Sequence, residues 1–153
     1  MTTDAAVTVR PATVDDLDTL VAYEIDIART SFGADAVTDA GLHRRRVSGS
    51  LDKPDEIALV AEVDGAVTGW VWVSGRTNSL TGDRYGNFRS LATGAVSGRG
   101  AIAERLLAAA LDAARERGLT EVVGKVHMGN VGMRAVYAKF GFAAEHLSLR
   151  KQL

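Results

Sequence analysis

Apolar and polar residues alternate from Val7 to Arg10 (VTVR), as in a short strand, and Pro11 stops the run. Thr13 with Asp16 three residues later predicts a helix start. Leu17, Leu20, Val21, Ile25 and Ala28 then recur at helical spacing, so the first helix runs to about Arg29. A break at SFGAD precedes a fainter helical pattern from about Val37 to Ser48. Two β-rich runs, Ile57–Val63 and Ala66–Val73, flank Asp64-Gly65 and predict a hairpin. The polar stretch RTNSLTGDRYGN reads as a loop or a second hairpin turn, and Phe88 to Thr93 as another strand. After a glycine turn, a helix is expected from about Ala101 to Arg117, with Gly118 as its C-cap. Glu121–Val126 reads as a strand and NVGMRAVYAKF as a helix. Gly141-Phe142 then turns into a last strand in which Leu147 and Leu149 alternate.

The element order is thus β-α-α-β-β-β-α-β-α-β. The middle strands, joined by hairpins, are antiparallel. The unit from Phe88 to Val126 must be a parallel crossover. The expected fold is a single α/β domain spanning 1–153, with a mixed, mostly antiparallel sheet, helices on both faces, and residues 1–6 as a tail.

Composition narrows the function classes. An apolar fraction of 46% and a charged fraction of 24% are those of an ordinary globular protein. A formal net charge of −1 gives no overall field for nucleic acid or an anionic membrane. No apolar run approaches the roughly 20 residues that span a bilayer. The first residues lack a basic flank and apolar core, so a cytoplasmic setting is expected. With no cysteine, thiolate nucleophiles and cysteine-ligated zinc are excluded. His43, His127 and His146 are not in metal-ligand spacing, so no metal is expected.

The stretch LATGAVSGRGAIAERLL, Leu91 to Leu107, places glycines between a strand and a helix. Backbone N–H groups there lack intrahelical partners, and the helix dipole adds partial positive charge, a setting suited to phosphate. Gly98 and Gly100 would let a ligand approach the main chain, and Arg99 would add charge. Taken alone, the stretch fits a plain tight turn equally well. A dinucleotide fingerprint requires its glycines after the first strand, and a P-loop requires a lysine that is absent.

From Ser90 the chain SLATGAVSGRGAIAERLL lines up without a gap on S-L-A-V-x-P-x-x-R-G-x-G-I-G-x-x-L-L. It resembles the acyl-CoA-binding segment of the GCN5-related N-acetyltransferase (GNAT) family. Downstream, NVGMRAVYAKFGF resembles that family's N-x-x-A-x-x-L-Y-x-x-x-G-F, with Asn130, Tyr137, Gly141 and Phe142 in register. The order of elements agrees from about Val7 to Leu153. There are departures. Gly98 stands where the family has arginine or glutamine, Ala101 and Ala103 replace two later glycines, and Met133 replaces a small residue.

The resemblance implies a parallel strand pair splayed at the acyl-CoA site, with acetyl-CoA as co-substrate. Leu91, Ala92 and Thr93 would pair with the pantetheine arm. The N–H groups of Gly98, Arg99, Gly100, Ala101, Ile102 and Ala103 would hold the pyrophosphate, and Asn130 would contact the arm. A small-molecule or peptide primary amine would attack the thioester directly. An N–H near Ala92 or Thr93 would polarise the carbonyl. Tyr137 would give a proton to the leaving thiolate; without the surrounding motif it would read as a core aromatic. Glu24, Asp26, His127 and ordered water are the alternatives for the base. HRRR, His43 to Arg46, reads as a solvated helix face or as a reader of an acidic acceptor. Trp70 and Trp72 share a strand face and form a buried pair, an acceptor wall or a dimer contact. A homodimer and a monomer remain open. The rival to an enzyme is a non-catalytic domain of the same fold that senses acyl-CoA or binds a partner.

Overall fold

The computed structural model describes residues 6–96 and 98–153. Their five strands form one sheet in chain order: β1 (Thr8–Pro11), β2 (Glu56–Val63), β3 (Ala66–Thr77), β4 (Arg84–Thr93) and β5 (Val122–Val123). Neighbours are antiparallel except β4 and β5, which are parallel. The β2–β3 hairpin turns at Asp64 and Gly65, both at positive φ (51° and 78°), the paired left-handed geometry of a two-residue hairpin.

Helices cover both faces. On one side α3 (Arg99–Glu116) buries Ile102, Leu106, Leu107 and Ala110 against Ile57, Val71, Val73 and Phe88. α4 (Val131–Lys139) adds Val136 and Tyr137 to that cluster. On the other side α1 (Leu17–Phe32) and α2 (Ala40–Ser48) bring Leu17, Leu20 and Val47 onto Val60, Trp70 and Trp72. The paired tryptophans are therefore core residues, with ring centroids 5.5 Å apart.

Several boundaries differ from the sequence reading. β3 runs on to Thr77 and β4 begins at Arg84, so much of the supposed polar loop is strand: Arg76 and Thr77 pair with Tyr85 and Arg84. α2 starts at Ala40, where Asp39 caps the N–H groups of Gly41 and Leu42. α3 starts at Arg99, two residues early. The strand expected at Glu121–Val126 shrinks to the two residues of β5. The last strand does not form: residues 143–153 are irregular, and Leu147 and Leu149 are each 89% exposed. A two-residue β5 offers too few backbone groups to template a neighbour, so the alternation has no sheet face to cover. Of the expected tail, residues 1–5 lie outside the described residues. No described helix is long and apolar enough to cross a membrane.

The entry to α1 is fixed by charge. Arg10 on β1 grips the buried Asp16 carboxylate through both terminal nitrogens (2.8 and 2.9 Å), and its Nε donates to Glu62 on β2. Asp16 also accepts from the Thr13 backbone N–H at 2.8 Å. These donors, Arg10 foremost, hold the Asp16 carboxyl below the usual carboxylate range. A depressed carboxylate stabilises the fold fully above about pH 4, and the contribution is lost as pH falls through the lower folded-state value. Asp16→Asn is therefore expected to cost about 2 kcal/mol at pH 7. Thermal melts should register that as a drop of roughly 5 °C, and the gap between the two proteins should close as the pH is taken towards 2.

Candidate active site

The parallel strands part almost at once. β4 and β5 pair only at Gly86–Val122 and Asn87–Val123. From Phe88 to Thr93, β4 keeps its β3 partner but, among the described residues, has no ladder partner on the opposite edge. That edge is a row of free backbone donors and acceptors on which an extended, amide-bearing ligand adds as a strand. Leu91, Ala92 and Thr93 lie on it, half-buried. Just past the fork stands Gly124. A Cβ there would sit 3.2 Å from the Phe88 Cβ and 3.3 Å from the Tyr137 hydroxyl, so the missing side chain lets β4 and α4 close around the fork.

Tyr137 reaches this place from α4. Its ring packs edge-on to Phe88 (centroids 5.6 Å) and to Phe142 (4.9 Å), which fixes its orientation. Burial pushes its phenol up to about 12, so it is protonated at neutral pH. Asn130 caps α4, its side-chain oxygen accepting from Met133 N–H at 3.1 Å.

Beyond Thr93 the chain turns into α3. Gly98 is the N-cap residue and adopts a left-handed conformation (φ 77°) that disfavours any side chain. Glycine here is thus a backbone requirement of this turn. No side chain caps α3, and Ile102 N–H already donates to the Gly98 carbonyl. The outward donors are those of Arg99, Gly100 and Ala101, all exposed. Ile102 is buried in the core, and Ala103 lies within the regular helix. Nothing lies within 4 Å of where a Cβ on Gly100 would stand, so main chain and space are both open.

The opposite face of β4 carries a second set of polar groups. Glu24 on α1 is buried, approached by Ser90 of β4 and Trp70 of β3, with Arg46 and His43 of α2 within electrostatic reach. Desolvation dominates and raises its carboxyl above the ordinary glutamate value. The three base candidates therefore separate. Glu24 lies beside β4, Asp26 points to solvent, and exposed His127 accepts from the Gly129 N–H. The HRRR run separates too. His43 is buried with Nε2 on the Val37 carbonyl (2.7 Å), Arg44 pairs with Asp18 at the surface, and of the three arginines Arg46 alone acts on Glu24, beside His43. A cavity of about 330 Å³ between α1 and α2, lined by Asp18, Val21, Ile25 and Arg44, involves no residue of β4 or α3.

A sequence profile described as the acetyltransferase (GNAT) family matches residues 21–142. The chain belongs to the GNAT family. Solved structures agree in fold over nearly the whole length. A ribosomal-protein-alanine N-acetyltransferase from Brucella melitensis biovar Abortus 2308 is 21% identical, covers 97% of this chain and 99% of its own, and superposes with a TM-score of 0.72. A predicted acetyltransferase from Clostridium acetobutylicum, solved with acetyl-CoA, is 20% identical, with 96% of each chain covered and a TM-score of 0.76. A transcriptional regulator from Bacillus halodurans C-125 is 21% identical, covers 97% of this chain and all (100%) of its own, and has a TM-score of 0.78. No relative is found among curated proteins.

Within this GNAT fold, the residues nominated from sequence fall at several places. Gly98 to Ala101 stand at the α3 end, Leu91 to Thr93 along the free edge, and Tyr137 at the fork. Asn130 lies at the start of α4, engaged as its cap. The sequence reading missed Arg89 and Ser90. Both are placed by a register shift opposite Trp72 and Val73, where Trp72 pairs with Ser90 and Val73 with Phe88. The only trace of it in the sequence is the broken alternation of NFRSLAT.

Proposed function

We propose that this GNAT protein is an N-acetyltransferase that moves an acetyl group from acetyl-CoA to a primary amine by direct attack in a ternary complex. The observation that carries the reading is the fork, where β4 offers a free edge from Phe88 to Thr93 with Tyr137 at one end and the uncapped start of α3 at the other. Acetyl-CoA supplies an activated thioester. The backbone of Leu91 to Thr93 aligns its amide-bearing arm, and an N–H of Ala92 or Thr93 polarises the thioester carbonyl. The N–H groups of Arg99, Gly100 and Ala101 bind the pyrophosphate. Glu24 receives the proton the amine must lose, directly or through one water, and its raised carboxyl makes it a stronger base than an exposed glutamate. Tyr137 gives a proton to the departing sulfur. The amine nitrogen bonds to the carbonyl carbon, the C–S bond breaks, and no enzyme nucleophile takes part.

The test is thiol release from acetyl-CoA over a panel of primary amines, alongside calorimetric binding of acetyl-CoA. Amine-dependent thiol release is expected. Tight binding without release for any amine would favour the non-catalytic reading instead.

The pyrophosphate assignment has its own check. Gly100→Val should weaken acetyl-CoA binding about tenfold by setting a branched side chain beside the donors. The position is exposed and open, so the melting temperature should barely move. Unchanged affinity in the calorimeter would mean that the pyrophosphate lies elsewhere.

A further inference from the structure

Arg89 is the extra residue of the β4 bulge, since β4 advances from Phe88 to Ser90 while β3 steps only from Val73 to Trp72. Bulges re-aim side chains. This one turns Arg89 onto the tryptophan face, its guanidinium carbon 4.3 Å from the centroid of the Trp72 ring. Arg76 follows Trp72 and Ser74 at alternate positions of β3, so it emerges on the same face at the strand's end. Arg46 precedes Val47, which is buried in one cluster with Trp70 and Trp72. Burial, then the like charges of Arg46 and Arg76, hold the Arg89 guanidinium below its ordinary pKa.

Two carboxylates, Glu56 and Glu24, act on Arg89 from a distance, and among the described residues none pairs with it. Glu56 is engaged by β3, accepting from Trp72 Nε1 at 2.8 Å and Ser74 Oγ at 2.5 Å. Among the described residues none of the three arginines reaches a carboxylate within ion-pair distance, whereas Arg10, Arg44, Arg84 and Arg115 each do. Three guanidiniums that act on one another, offset at longer range by Glu56 and Glu24 but ion-paired with neither, keep an excess of positive charge that a bound anion relieves. A guanidinium stacked on an indole also keeps its in-plane donors free for two-pronged contact with an oxyanion.

A second observation lies beside them. Glu24 Oε1, His43 Nδ1 and Trp70 Nε1 are buried without a well-formed hydrogen bond, although Ser90 and Trp70 approach the Glu24 carboxylate closely enough to favour its charge. Their residues are 6%, 4% and 0% exposed. Unsatisfied buried polar atoms are costly, and such a group calls for an occupant. His43 Nε2 lies 2.7 Å from the Val37 carbonyl, and the Glu24 oxygen is an acceptor at depth. An acceptor at depth suits an amine, and guanidiniums suit an anion.

We propose that the acceptor is a primary amine that also bears an anionic group, a carboxylate or a phosphate, held by Arg89 with Arg46 and Arg76. This rests on the acetyltransferase reading and adds the substrate class. The test compares kcat/KM for 3-aminopropanol, 3-aminopropanoate, 2-aminoethyl phosphate and 1,3-diaminopropane. An anionic amine should be favoured over the neutral one by at least tenfold, and the better of the two anionic arms identifies the group. Arg89→Gln should reduce that preference about 10–100-fold. Arg46→Gln, on the exposed side of α2, should reduce it in the same sense should Arg89→Gln fail to fold. Arg45→Gln, one residue away with the same charge, should leave the preference intact. No anionic preference in the wild type, or equal effects of Arg45→Gln and Arg46→Gln, would overturn the proposal. If no amine is acetylated, calorimetry with CoA present separates the two readings. Binding of an anionic amine that Arg89→Gln abolishes keeps the anion site and removes the enzyme, and absence of such binding removes the site.

Discussion

Glu24→Gln is expected to slow amine acetylation about 100-fold while raising the melting temperature. A positioned general base contributes about 10²–10⁴ in rate. The lower end applies because water and free amine also accept the proton. The stability gain has the same physical origin as the rate loss. Glu24 is buried, and desolvation outweighs the attraction of Arg46 and His43, so its carboxyl is raised. For a raised carboxyl, the favourable contribution to folding is complete below the ordinary glutamate value of about 4.3 and is lost as pH rises through the folded-state value. At neutral pH the fold therefore bears the cost of an ionised, desolvated group, and a neutral amide of the same shape removes it. The gain in Tm should be largest near and above pH 7 and should vanish in acid. The kinetic signature is an acid limb in kcat/KM. One limb comes from the amine's own protonation and moves with the amine chosen. A second limb, fixed across amines and lying above the ordinary glutamate range, should disappear in Glu24→Gln. A variant with wild-type rates, or a fixed limb that survives the substitution, would remove Glu24 from the reaction.

Glu24 was only one of several base candidates in the sequence, for a physical reason. The strand Phe88 to Thr93 carries no carboxylate, and on α1 both Glu24 and Asp26 look like ordinary polar residues of an amphipathic helix. Which of the two faces the sheet depends on the roll of α1 over Trp70 and Trp72, a matter of tertiary packing. By contrast, the glycine turn, the α3 start and the Tyr137 helix were legible, because local backbone demands and short-range spacing dictate them. Gly98 looked like a defect in the motif, yet its left-handed backbone accounts for it. The β4 bulge was not legible. It is set by pairing between strands, and it alone brings Arg89 to the tryptophan face. The C-terminal alternation around Leu147 failed in the opposite way: a strand pattern needs a partner edge, and β5 pairs through only two residues.

Tyr137→Phe is expected to lower kcat about tenfold and to leave acetyl-CoA binding unchanged. The substitution keeps the ring, and with it the edge-on contacts to Phe88 and Phe142, so fold and fork persist. Only the hydroxyl next to Gly124 is lost. Thiolate departure is easier when a proton arrives with it, and a positioned acid supplies that proton without reorganising solvent. Two facts hold the effect to the low end of the range. A thiol of pKa about 8.5 leaves readily near neutral pH. Burial raises the Tyr137 phenol to about 12, which guarantees that it is protonated but makes it a weaker acid than the thiol it serves. Its contribution is then mostly a hydrogen bond to developing negative charge, of the kind worth about 1.5–3 kcal/mol for charged partners, reduced where water takes its place. Single-turnover acetyl transfer, run beside calorimetric binding, tests this directly. A fall in the chemical step with affinity preserved assigns the hydroxyl to the leaving group. Equal rates in the two proteins would leave Tyr137 as a packing residue, and a parallel loss of binding would make it part of the cofactor's seat instead.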